Sequence, residues 1–306
     1  MKRNIRSVLN QTFTDYEHII VDDDNDNKYN IALLIEEFND ERILFFKNER
    51  SKGAAGAYNC GIINSRGRFI TFLDDDDEYM PQFLEKMYSL FLKSDKDPGF
   101  AWSGISRIRD TPEGQIAGIS LMWPYWFNNK EEGLIAATSI GNGFGVCIRR
   151  DCLEKTGLYD ETLKVGTDTD FLFRLAINFK FCTIPEILVK VHQHRNNQLT
   201  AQENNSERLI VLETILERYK DFLQRYPGLY IAHYNSFADL CYKVKGKRKG
   251  RSVLFSVIRK KPQRIKTYLD LISYELTGKN ASGSYFGKYI LWFKCLIRRK
   301  EKIVCR

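Results

Sequence analysis

Short apolar runs alternate along this chain with longer stretches in which apolar residues recur every three or four positions. Glu17–Val21, Arg42–Lys47, Arg68–Leu73 and Phe100–Ile108 are rich in Ile, Val and Phe, and read as strands. Between them, Asn4–Asn10, Ile31–Phe38, Ala54–Ile63 and Pro81–Leu92 carry the helical spacing, and Pro81 suits a first helical turn. Strands and helices alternating at this pitch predict βαβ units: an α/β fold with a mostly parallel sheet flanked by helices. After Ile108 the pattern turns irregular, and a loop-rich stretch is expected as far as about Tyr125. A helix is expected over Asp168–Asn178, then short strands at Phe181–Ile184 and Ile187–Val191. Glu207–Tyr226 carries one broad apolar stripe, and the chain reads as helical from there on, with a break at Lys245–Arg251. The pattern divides the chain into an α/β domain over 1–200 and a helical, basic region over 201–306. No internal repeat is present.

The 306 residues are 43% hydrophobic and 13% aromatic, with 20 Gly and 7 Pro, which excludes collagen-like, low-complexity and wholly disordered chains. The seven cysteines, at 60, 147, 152, 182, 241, 295 and 305, form no CxxC pair, so reduced thiols are expected rather than a disulfide framework or a zinc knuckle. MKRNIRSVLNQTF has neither the apolar core nor the cleavage site of a secretory signal, so a cytoplasmic location is expected. No stretch reaches the roughly 18–20 uninterrupted apolar residues of a spanning helix.

The net charge of +8 is unevenly divided. Tyr242–Arg306 holds 19 Lys and Arg against three acids, leaving the rest of the chain at −8. Within that basic tail, Tyr285–Lys300 interleaves aromatic and aliphatic residues with flanking cations. Two readings fit: a helix on an anionic membrane surface, or one packed on the protein with its charges solvated. Nucleic acid is not the expected partner.

Two of the strands end in acids. Asp22 and Asp23 follow His18–Val21, and Asp74, Asp75, Asp76, Asp77 and Glu78 follow Phe69–Leu73. In an open α/β sheet ligands bind beyond the carboxyl ends of the strands. Alternation would put Asp74 and Asp76 on one face if the strand persists that far. Carboxylates held so close repel unless a cation or proton lies between them. A hard divalent ion, Mn²⁺ or Mg²⁺, suits such oxygens and commonly shares them with a diphosphate. The competing reading is a solvated acidic loop.

Five strings, in order, resemble glycosyltransferase family 2: Ser7–Asp23, Gly56–Ile62, Phe72–Asp77, Leu153–Glu161 and Thr167–Asp170. The resemblance covers residues 1 to about 200. It implies a GT-A fold, a nucleotide-sugar donor (a UDP-sugar), a divalent metal and inversion at the anomeric carbon. By matching position, Asp22 and Asp23 would contact the base and ribose, and Asn59 would border the donor. Asp74, Asp75 and Asp76 form the D-x-D element: Asp74 and Asp75 face the donor, Asp74 and Asp76 the metal, and Asp77 assists. Asp168 falls at the general base, although Thr167-Asp168 replaces the commoner Glu-Asp. His192 and His194 lie past a strand where the family can face a histidine to the diphosphate or metal; His194 fits the spacing better and is assigned as a metal ligand. A hydrogen-bonded loop histidine is the alternative for both. Gly141–Gly145 reads as a turn.

Inverting transfer is a direct displacement, so a carboxylate must take the acceptor's proton on the face opposite the departing diphosphate. An acid farther along the chain meets that need better than another ligand of the same ion. The expectation is a metal-dependent glycosyltransferase, hexosyltransferase-like, acting on a glycan or lipid-linked acceptor in surface polysaccharide synthesis, peripheral on the inner membrane face. One family element is missing: the strand that precedes the first helix and would lie between the Glu17–Val21 and Arg68–Leu73 strands. Its neighbours could pair directly or another segment could fill the slot; the expectation adopted is a chain shortened relative to a functional one. The missing strand also leaves a catalytically silent GT-A-fold binding or scaffold protein as the alternative function.

Overall fold

The computed structural model describes residues 1–23, 30–94, 97–111, 114–122, 129–140, 143–193 and 204–280. The chain divides into two compact units, Met1–Gln198 and Leu199–Arg306.

The first unit opens with α1 (Lys2–Leu9), β1 (His18–Asp22), α2 (Ile31–Glu36), β2 (Ile43–Lys47), α3 (Ala54–Asn64), β3 (Phe69–Thr71), β4 (Glu78–Tyr79) and α4 (Phe83–Lys93). It continues through β5 (Phe100–Thr111), β6 (Gly114–Leu121), α5 (Lys130–Ile140), β7 (Val146–Arg149), α6 (Leu153–Thr156), α7 (Thr167–Asn178) and β8 (Phe181–Gln193). β1 and β2 pair in parallel as a two-stranded sheet. A six-stranded sheet runs β3-β7-β5-β8-β4, with β6 also on β5.

The α/β class holds, but the pairing is mixed. β5 and β8 are parallel, whereas the β3–β7, β5–β7, β4–β8 and β5–β6 ladders are antiparallel. Two local readings change. The stretch after Ile108 is no loop where it is described: it completes β5 and turns back as β6, a hairpin whose weak apolar signal reflects exposed polar residues such as Arg109, Gln115 and Ser120. The two short strands around Pro185 are one strand, β8, with a register shift against Ser103 and Gly104 of β5. Gly104 belongs at that bulge because a Cβ there would lie 2.8 Å from the Glu186 carbonyl oxygen. The core gathers Phe100, Trp102 and Ile105 from β5, Ile148 from β7, and Phe173 and Leu175 from α7, all almost wholly buried.

No ladder joins β1 to β3 among the described residues, and no described strand lies between them. At their starts the Glu17 carboxylate bridges across, accepting from the Arg66 and Gly67 amides at 2.5 and 2.8 Å.

The second unit is helical: α8 (Asn205–Arg218), α9 (Lys220–Arg225), α10 (Pro227–Val244), α11 (Lys247–Lys260) and α12 (Ile265–Thr277). The single stripe over Glu207–Tyr226 is thus two helices, broken at Tyr219, whose backbone leaves helical geometry (φ −108°, ψ 22°). α11 approaches α10 at Gly250, where a Cβ would fall 2.3 Å from the Tyr242 ring, and that ring stacks on Tyr274 of α12 at 3.9 Å. No helix among the described residues is long and apolar enough to cross a membrane. Tyr285–Lys300, the expected membrane-surface helix, lies outside the described residues.

Candidate active site

The acidic run is shaped by a turn rather than by strand alternation. β3 ends at Thr71, whose hydroxyl donates to the Val146 carbonyl at 2.7 Å. The chain then folds back, with the Asp77 amide donating to the Asp74 carbonyl at 3.0 Å. Asn4, buried on α1, clamps both ends of this turn by donating to the Asp74 and Asp77 carbonyls at 2.7 and 3.2 Å. The turn brings carboxylate oxygens of Asp74, Asp76 and Asp77 within 4.8 Å of one another. Asp75, next in the same turn, is exposed.

These acids are electrostatically crowded. Burial pushes Asp77 up to about 8, reinforced by Asp74 and Asp76 and opposed by the hydrogen bond it accepts from the His192 amide. Asp74 is also raised, first by loss of hydration and then by Asp76, Asp75 and Asp168, while the Tyr58 hydroxyl, donating to it at 2.7 Å, opposes the shift. Three hard oxygen donors that repel one another in this way fit a divalent cation such as Mg²⁺ or Mn²⁺. The sequence reading gave Asp77 only a supporting place; its position within the acidic run was the available signal.

His192, on β8, is fully buried and faces a carboxylate with each ring nitrogen: Glu78 at 2.8 Å from Nε2 and Asp110 of β5 at 3.1 Å from Nδ1. Arg3 of α1 reaches the same pair, 3.4 Å from Glu78 and 3.5 Å from Asp110. Burial would raise Asp110, but His192 and Arg3 hold it below the usual carboxylate range. Behind the acidic turn, then, lies a network joining α1, β4, β5 and β8. Asp110 and Arg3 carried no local signal in the sequence. His194 lies outside the described residues, as do Gly141 and Asn142.

Asp168 stands in the first turn of α7, where an acid suits the helix dipole. Burial raises it, against a hydrogen bond from the Thr169 amide at 2.8 Å. Its field contributes to the shifts of Asp74, Tyr58 and Tyr159, so it shares an environment with the acidic turn. A Cβ at Gly143 would sit 3.7 Å from its own Cβ. Two residues on, Asp170 is fully buried and held by Arg174 at 2.8 and 3.0 Å. Arg174 also donates to the Leu158 carbonyl at 2.6 Å, fixing the approach to Tyr159. One acid of this helix turn is thus structural, and the other faces the acidic turn's surroundings.

Tyr58, Phe72 and Tyr159 pack ring to ring at 5.0–5.5 Å, and Tyr159 stacks on Phe171 at 4.2 Å. Asn59, 1% exposed, exchanges two hydrogen bonds with the Tyr159 backbone and donates to Glu161 at 2.7 Å. Glu161 also accepts from Arg50 and the Ser51 hydroxyl; Asn59 above all, with Ser51 and Arg50, brings it down to about 2. Asn59 therefore orders the loop beside the site, with its amide committed inside the protein. Asp22, at the end of β1, is buried. Asp23 accepts from Asn48 at 2.6 Å and from the Gly53 amide at 2.8 Å, bracing the loop that enters α3.

Comparison with known proteins assigns the chain to the glycosyltransferases. Residues 1–148 match the family model for glycosyl transferase family 2. The chain is 32% identical over 211 residues to an uncharacterized glycosyltransferase of Methanocaldococcus jannaschii, a match covering 65% of this chain and 68% of that protein. It is 43% identical over 91 residues to the Escherichia coli UDP-Glc:alpha-D-GlcNAc-diphosphoundecaprenol beta-1,3-glucosyltransferase WfgD, over 30% of this chain and 35% of that enzyme. Among solved structures, S. aureus TarS in complex with UDP-GlcNAc superposes with a TM-score of 0.59 at 14% identity, covering 89% of this chain and 82% of that one; it shows a shared fold. The chain belongs to glycosyltransferase family 2, with a GT-A fold.

Proposed function

We propose that this protein transfers a sugar, with inversion, from a nucleoside-diphosphate donor, a UDP-sugar, to a hydroxyl of a glycan or lipid-linked acceptor. The observation that carries the reading is the separation of roles among its acids: three carboxylates gathered in one turn, and a fourth, Asp168, on another element but within their electrostatic reach. Asp74, Asp76 and Asp77 would hold Mn²⁺ or Mg²⁺, with His194 proposed as a further ligand. When bound, such an ion offsets the charge that grows on the leaving diphosphate. Asp168 takes the proton of the acceptor hydroxyl, and its raised affinity for protons suits a general base. Tyr58 orients Asp74 through its hydroxyl. Asp22, Asp23 and Asp75 are proposed to line the donor side, and Asn59 to border it by ordering the Tyr159 loop. The relative WfgD acts, by its name, on a diphosphoundecaprenol-linked sugar, which supports a lipid-linked acceptor and work at the inner membrane face.

The test is a panel of nucleotide sugars with and without Mn²⁺ or Mg²⁺, read first as thermal stabilisation and then as nucleotide release and transfer to a hydroxyl acceptor. The reading requires metal-dependent stabilisation by at least one donor. It also requires that Asp76→Asn remove this stabilisation. Stabilisation without transfer to any acceptor would favour the silent binding protein.

A further inference from the structure

α12 buries three polar residues beside Tyr274 and exposes a row of apolar ones. At its buried side lie Thr267, Asp270 and Ser273, at 0–3% exposure, with Asp270 paired to Lys266 at 2.8 Å. Its outer side carries Ile265, Tyr268, Ile272 and Leu276, 59%, 37%, 47% and 75% exposed. Spacings of three, four and four place these four along one helix face. α11 repeats the same spacing with Arg248, Arg251, Phe255 and Arg259, all exposed. Its opposite side, Gly250, Val253, Leu254 and Val257, is buried. Arg251 ties the two rows together by pairing with Glu275 of α12 at 2.6 Å. The result is an apolar row beside a row of cations punctuated by Phe255, each about 16 Å long at the helical rise.

A row of four exposed apolar side chains has no use to a helix that faces only water, because their burial is where its stabilisation would come from. The surroundings select the occupant. Between Tyr242 and Asn280 the chain has twelve Lys and Arg against two acids. A second copy docking through the same face would bring like charge against like charge. Nucleic acid would use the cations but gain little from Ile265, Ile272 and Leu276. An anionic bilayer takes both, with phosphates on the cations and acyl chains against the apolar row.

We propose that the outer face of α11 and α12 is a docking surface for an anionic lipid bilayer. It deepens the membrane association proposed above and assigns it to described helices rather than to the tail beyond Asn280. Its test reads vesicle binding, while sugar transfer is assayed on a soluble acceptor, so either can fail without the other.

The experiment is flotation of the purified full chain with phosphatidylcholine vesicles that contain phosphatidylglycerol, against phosphatidylcholine alone. Binding is expected to the anionic vesicles only, and to weaken with salt. Ile272→Ser with Leu276→Ser should lower it roughly ten-fold or more, and Arg248→Gln with Arg259→Gln should lower it by a similar factor. Phe255→Ser, on the neighbouring helix, is an independent variant, and circular dichroism and the melting temperature show that each variant is folded. The proposal is overturned if the folded Ser variants bind vesicles as the parent does, which would leave attachment to another segment. It is equally overturned if neither vesicle binds, if sedimentation shows a dimer that the Ser variants dissolve, or if the Arg variants lose RNA binding by a chain indifferent to vesicles.

Discussion

The two units of this protein treat charge and apolar surface in opposite ways. In Met1–Gln198 several acids turn inward: Asp77 and Asp170 are buried, and His192 is enclosed between Glu78 and Asp110. The apolar residues there fill a core around β5 and α7. In Leu199–Arg306, α12 turns a row of apolar residues outward and buries three polar ones beside Tyr274, amid an excess of cations. Burying charge costs stability unless it is paired or given a function, and exposing an apolar row forgoes stability. Both units depart from the simplest folding pattern, and the proposals above read the crowded acidic turn of the first as a cation site and the outer row of α12 as a lipid surface.

If that contrast is right, substitutions in the first unit should be costly and those on the outer face of α12 nearly free. The largest effect is expected at Asp168. Asp168→Asn should lower the transfer rate about 10³-fold, as loss of a general base does, while donor binding measured by calorimetry is kept; equal loss of both would move Asp168 out of the chemistry. Asp170→Ala leaves Arg174 without its buried partner and should cost about 3–5 kcal/mol in urea unfolding. A variant as stable as the parent would show that this pair does not hold α7 to the 156–158 turn. Gly56→Ala comes next, because its Cβ would lie 1.8 Å from the Ser51 carbonyl oxygen, and the loop that Asp23 braces has to move. A loss of roughly 2–3 kcal/mol is expected, read as a lower melting temperature.

A pH series compares the units directly, since each buries one histidine whose proton affinity burial lowers to about 4: His18 and His233. Both bind a proton more readily unfolded than folded. Their contribution is therefore intact above about pH 6.5 and is lost as pH falls toward 4, by roughly 3 kcal/mol each. Asp77, whose raised proton affinity adds stability as pH falls below about 8, works in the opposite direction, so the histidines are isolated by variants: with His18→Gln or His233→Gln the melting temperature should fall less, or rise more, than the parent's as pH drops from about 6.5 toward 4. The smallest effect is predicted for Leu276→Ser, which should change stability by less than about 0.5 kcal/mol; a larger loss would mean that the outer face of α12 is packed in solution.

Much of the first unit was legible because its signals are local. A strand such as His18–Asp22 and a helix such as Ala54–Asn64 follow from side-chain period within a few residues. The acids Asp74–Asp77 stand out as a run, and the ordered strings pointed to the family that the comparisons show. The hairpin β5–β6 was missed because its outer face is exposed and breaks the apolar alternation.

What the sequence by itself determined is the alternation of strands and helices as far as Phe100, the family, and which acids and cations are available. Only the tertiary structure decided how they meet. The termination of β3 at Thr71 and the clamp by Asn4 turn Asp74, Asp76 and Asp77 toward one point, where strand alternation would have separated Asp77 from the other two. Packing between distant segments likewise sets Asp110 against His192, and decides which side of α12 faces outward. Periodicity is a property of neighbours along the chain. Proximity across it depends on where strands stop and which backbones can approach, and no local pattern encodes that.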